Sequence, residues 1–197
     1  MRRELSLAFA LAALVACSKT DEPAPGPPSQ AASASPTPSA QAAPAAAPPA
    51  GAVVWTAPAA WSVAPNPSKL RIATYKIPKL PTDPEDADLS VSQAGGGAEA
   101  NIKRWASQFE GSPELKVSHR DVGGLKVTIV DGHGIFNGGG MPGGPPSSPK
   151  RNWALLGAIV DSVDPPYFFK LTGPEKTVTA ARADFDTFVG SLHTSSK

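Results

Sequence analysis

Cysteine is nearly absent from this 197-residue chain: Cys17 stands alone. A single thiol excludes an internal disulfide and a multi-cysteine metal site. Histidine is scarce as well. His119, His133 and His193 are the only three, and no two fall at the H-E-x-x-H spacing that sets paired metal ligands on one helical face. The formal net charge is only +1, with Lys and Arg scattered, so the chain carries no electrostatic footprint for nucleic acid. There is no G-x-S-x-G nucleophile elbow. No apolar run reaches the roughly twenty residues that span a bilayer.

What is present at the start is a targeting pattern. Arg2 and Arg3 form a basic n-region, and Leu5 to Val15 an apolar stretch of about eleven residues, the length of a signal-peptide h-region. The stretch ends in Leu14-Val15-Ala16-Cys17, which resembles the bacterial lipobox. That resemblance implies cleavage after residue 16 and lipidation of the Cys17 sulfur, so residues 1–16 read as a signal peptide. Two or more acyl chains hold a soluble domain on a membrane, because each buried methylene contributes about 0.8 kcal/mol. Ser18 occupies the position where inner-membrane retention signals often carry Asp, which favours the outer membrane, facing the periplasm. From Cys17 to Gly51 the chain is almost entirely Pro, Ala, Ser and small polar residues. Such a composition cannot bury enough apolar surface to offset its ordering entropy, so residues 17–51 read as a lipidated, disordered tether. Fully extended, it reaches roughly 100 Å.

Residues 52–197 hold all four tryptophans and have the length of one ordinary domain. "LRIATYKI" (Leu70 to Ile77) and "DADLSVSQ" read as strands, joined by the turn-rich "PKLPTDPED". "AEANIKRWASQFEG" places Ala98, Ile102, Trp105 and Phe109 at helical spacing and stops at Gly111 and Pro113. "ELKVSHRDVGGLKVTIVDGHGIF" reads as a hairpin about Gly123-Gly124. "RNWALLGAIVDS" and "YFFKLTG" give two more strands about Asp164-Pro165-Pro166, and "GPEKTVTAARADFDTFVGSLH" a closing helix with Val178, Ala181, Phe185, Phe188, Val189 and Leu192 on one stripe.

The order is two strands, helix, hairpin, loop, two strands, helix. It predicts an α+β fold in which an antiparallel β-sheet packs against two main helices, since doubly wound folds alternate strand and helix. Trp55 with "APAAW", and then "ANIKRW", "ALLGAIV", "YFFKLTGP" and "FDTFVGSL", resemble a family of uncharacterised bacterial lipoproteins. More distantly they are similar to the PsbP-like (DcrB-like) fold. The resemblance covers most of residues 52–197 and rests on packing residues. It implies a non-enzymatic binding or assembly accessory without identifying the partner; no cofactor is expected, and the expected partner is another envelope protein.

Chemical motifs are sparse. "DGHG" (Asp131 to Gly134) reads as a turn or strand end, and "DPEDAD" as a solvated acidic turn without the Gly and distal Glu of an EF-hand. "NGGGMPGG" lacks the Lys-Ser/Thr of a P-loop and reads as a hairpin loop. Long loops on rigid scaffolds carry binding, which makes Asn137, Met141 and Pro142 candidate contact residues. In "YFFK" and "RNW" aromatics adjoin basic residues, an arrangement able to stack on sugars, but adjacent strand residues point to opposite faces and core packing is the default. No catalytic or metal-binding residue is assigned. The expected function is a non-catalytic accessory; the alternative is a small envelope hydrolase or a peptidoglycan- or sugar-binding enzyme. A cleft holding a histidine with a perturbed pKa beside a carboxylate would favour the alternative, and three histidines scattered on the surface the accessory.

Overall fold

Strand β7 (Lys150–Val160) is buried without interruption from Trp153 to Val160, on both of its faces. A strand alternates its side chains, so a sheet with such a strand inside it must be covered twice. The computed structural model, which describes residues 49–138 and 148–196 within the unit Ala45–Lys197, shows how. Seven strands run in the order β2 (Ser62–Val63), β3 (Arg71–Ile77), β4 (Ala87–Gln93), β8 (Tyr167–Pro174), β7, β6 (Leu125–Phe136) and β5 (Lys116–Val122). Every neighbouring pair is antiparallel. A separate two-stranded sheet pairs β1 (Val53–Val54) with β9 (His193–Thr194). The fold is α+β.

One face of the large sheet carries Leu89, Val91, Leu156, Ala158, Phe169 and Leu171, and meets Phe185, Phe188 and Leu192 from the C-terminal helical segment. Phe188 is fully buried at the centre, with the Trp61 ring 5.4 Å and the Phe169 ring 5.6 Å away. The other face carries Val130, Leu155, Ile159 and Phe168 under Trp105 and Phe109, which come from α1 (Ala98–Ala106) and the turn that follows it. Phe168 and Phe169 are therefore both core residues, one on each face.

Three expectations change. The closing helix is two: α2 (Glu175–Ala180) and α3 (Arg182–Gly190), interrupted at Ala181. The apolar stripe survives because the Phe185 N–H still bonds the Ala181 carbonyl at 2.9 Å, which keeps both segments on the sheet. "DGHG" is no turn. Asp131 to Gly134 lie inside β6 and pair with Leu156 to Trp153, so long-range pairing with β7 overrides the local turn preference. The acidic "DPEDAD" is a solvated turn only at its middle, where Pro84 to Asp86 are exposed. Asp83 accepts from the Thr177 N–H at 2.9 Å and its hydroxyl at 2.6 Å, fastening the start of α2, and Asp88 joins an ion cluster on β4. Gly123 and Gly124 do turn the β5–β6 hairpin as expected, with φ of 54° and 80°.

Candidate functional site

On the α1 side the sheet is divided. One register row runs Thr74, Ser90, Lys170, Gly157, Val130 and Val117 from β3 to β5. Its β7–β6 part is apolar and closed by Trp105, whose ring lies 6.4 Å from that of Phe168. The β3–β4–β8 part is polar. Alternation sends Tyr75, Ile77, Leu89 and Val91 to the α3 side and leaves Lys76, Asp88, Ser90 and Thr172 here.

A bulge completes this polar half. Arg71 pairs with Ser92 and Ala73 with the adjacent Val91, so two steps along β3 match one along β4. The extra residue, Ile72, is 43% exposed. Simple alternation would put Arg71 with Ala73 on the apolar side; the bulge re-aims it to the polar one. There its Nη1 meets Asp88 Oδ1 at 3.0 Å and Thr74 Oγ1 at 3.4 Å. Lys76, directly opposite Asp88, reaches the other carboxylate oxygen at 3.4 Å. Thr74 is itself buried and donates to Asn66 Oδ1 at 2.9 Å.

Lys170 sits where the polar and apolar halves meet. Its ammonium donates to Gln108 Oε1 and stands 5.6 Å from the centre of the Phe136 ring. The residue keeps some exposed surface, yet the ammonium is packed deeply enough that desolvation is the first cause of a pKa pushed down to about 8. The charges of Arg104 and Arg71 push the same way, and Asp88 opposes them.

The candidate loop begins beside this lysine. After α1 the chain pairs with the end of β6: the Glu110 N–H bonds the Ile135 carbonyl and the Asn137 N–H the Gln108 carbonyl, both at 2.8 Å. Asn137 is thereby fixed next to the residue that holds Lys170. Met141, Pro142 and Cys17 lie outside the described residues. Sequence reasoning missed Arg71 and Gln108, and met Lys170 only in "YFFK" and Asp88 only in "DPEDAD", not as parts of one cluster. The alternation of "RIATYKI" against "ADLSVSQ" could have placed Lys76 opposite Asp88, but neither the bulge nor the reach of Lys170 has a local signal.

The histidines are dispersed and exposed, on β5, β6 and β9. His119 Nδ1 lies 3.1 Å from Thr128 Oγ1, and His193 Nδ1 2.9 Å from the Ser191 carbonyl. Among the described residues, no three His, Cys, Asp or Glu gather into a metal-ligand group, and no helix is long and apolar enough to cross a membrane. "RNW" lines a separate groove of about 950 Å³ between the segment after β3 and α2, with Arg151 exposed and Trp153 buried.

No protein-family model and no curated protein matches the chain. Among solved structures it is similar to LpqN of Mycobacterium tuberculosis, described as involved in cell envelope biogenesis, at 13% identity and a TM-score of 0.45 over 74% of this chain and 86% of that one. It is also similar to PA94 of Pseudomonas aeruginosa, a protein of unknown function described as a putative regulator, at 11% identity and 0.44 over 70% and 99%. A third is the cyanobacterial PsbP of Synechocystis sp. PCC 6803, at 14% identity and 0.44 over 74% and 94%.

Proposed function

We propose that the chain is a lipid-anchored protein of the bacterial cell envelope, held through Cys17 in the outer membrane facing the periplasm, and that it acts as a non-catalytic binding or assembly accessory for another envelope protein. The basic, apolar and small-residue sequence up to Cys17 supports the anchor, and the Pro/Ala-rich stretch to Gly51 supports a tether that gives the domain reach. One observation carries the binding role. The polar half of the sheet presents ordered charges on rigid strands, Arg71, Lys76, Asp88 and Lys170, next to the loop base at Asn137. Recognition surfaces built on strands hold their geometry better than loops alone. The three histidines, scattered and exposed on β5, β6 and β9, also speak for an accessory over a hydrolase.

The test is photo-crosslinking in the native envelope. A crosslinking residue replacing Ser92 should capture a defined neighbour, and one replacing Asp184, exposed on α3, should not. Equal recovery from both positions would overturn the assignment of this face.

A further inference from the structure

The polar half of the sheet is short of negative charge. Three cationic side chains share this half, Arg71, Lys76 and Lys170, around one carboxylate, and a fourth, Arg104, stands on α1 four residues before the Gln108 that holds Lys170 and acts on that ammonium with its charge. Asp88 already serves Arg71 at 3.0 Å and Lys76 at 3.4 Å. Among the described residues no carboxylate pairs with Arg104, although its neighbour on α1, Lys103, is paired with Glu99 at 2.7 Å. Lys170 has a neutral amide and the face of an aromatic ring as its partners. A cation held away from water without a counter-charge is costly unless something compensates it.

We propose that this face binds a phosphate group, with Arg71, Arg104 and Lys170 around its oxygens and Lys76 adding charge from the rim. Four positive charges exceed what one carboxylate can offset, whereas a phosphate brings up to two negative charges and several acceptor oxygens. Guanidinium groups suit it because their paired N–H donors match two oxygens at once. The β3 bulge is what makes the site possible, since without it Arg71 would point into the α3-side core. Gln108 holds Lys170 and is joined by its backbone to Asn137, so the ligand would sit against the base of the candidate loop.

The phosphate could belong to a lipid headgroup or be free in solution, and the experiment separates the two. Detergent-solubilised full-length protein is titrated calorimetrically with inorganic phosphate, with dihexanoyl phosphatidylglycerol below its micelle concentration, and with acetate. Phosphate-bearing probes should bind, and binding should weaken as salt is raised. Tighter binding of the lipid assigns the headgroup as the source, and tighter binding of inorganic phosphate assigns the free ion. Arg104→Gln, at an exposed helix position where folding is not at stake, should weaken phosphate about tenfold, and Lys103→Gln should leave it unchanged. Acetate binding as tightly as phosphate, no binding of either phosphate probe, or equal affinity of Arg104→Gln and wild type would each overturn the site. The proposal deepens the binding reading above, and the two fail separately: an absent crosslinked neighbour leaves phosphate binding measurable on the purified protein.

Discussion

The Trp105 ring packs against Gly157 with its Cζ3 corner. A Cβ on that glycine would stand 2.3 Å from Trp105 Cζ3 and 3.0 Å from Cη2. The contact fixes how closely α1 approaches β7, and so where Gln108, just after the helix, meets Lys170. Gly157→Ala should cost about 1–3 kcal/mol, the range for overpacking a filled core. Combined with Trp105→Leu, which empties the space, the added methyl should cost less than it does alone. Denaturant melts of the single and double variants measure this coupling, and purely additive costs would show that the ring does not press on the strand.

On the opposite face, Phe185 is 1% exposed on α3 while Asp184 beside it is exposed. Phe185→Ala should destabilise the domain by about 3–5 kcal/mol, and Asp184→Ala by less than about 0.5 kcal/mol. Urea melts of the two variants give the contrast directly.

Much of this packing was legible in the sequence, and the reason is periodicity. The stripe from Val178 to Leu192 and the uninterrupted apolar run "ALLGAIV" each report a buried surface through local spacing, and both are buried as read. Phe168 and Phe169 followed from strand alternation. The polar site was hidden because its parts are far apart in sequence: Arg71 meets Asp88 only through a bulge, and Lys170 meets Gln108 across 62 positions. Asn137 was singled out for its loop, and what the loop adjoins could not be read from "NGGG". The break at Ala181 left no sign because neither Gly nor Pro marks it.

Lys170 gives a pH signature. Its pKa is about 8 in the folded protein against an ordinary value of 10.5. Between these values the unfolded chain holds the proton and the native one does not, so stability should rise with pH from about 8 to 10.5. Below that window the charged ammonium penalises the native state. Lys170→Met should flatten the rise, because it removes the titrating ammonium. Chemical denaturation at several pH values would show it, and parallel profiles for variant and wild type would remove Lys170 as the cause.

Cys17→Ser tests the anchor. The sulfur is the proposed attachment point, so the variant should lose labelling by a fatty-acid analogue in cells and should shift from the membrane fraction. Unchanged membrane recovery without label would overturn lipid anchoring at this position.

The loop can be tested without disturbing the fold. Phe136 of β6 pairs with Lys150 of β7, so deleting residues 139–147 leaves Asn137, Gly138, Ser148 and Pro149 to connect them. Four residues lie within the ordinary range for a hairpin connection. Asn137 would keep its backbone bond to the Gln108 carbonyl. The shortened protein should therefore melt within about 0.5 kcal/mol of wild type, as surface changes away from packed features do. If the loop forms part of the contact surface, crosslinking from Ser92 to an envelope neighbour should fall while phosphate affinity at Arg71, Arg104 and Lys170 stays the same. A deletion that leaves crosslinking intact would confine the contact to the strands, and one that abolishes phosphate binding with the fold preserved would place the loop itself in the anion site.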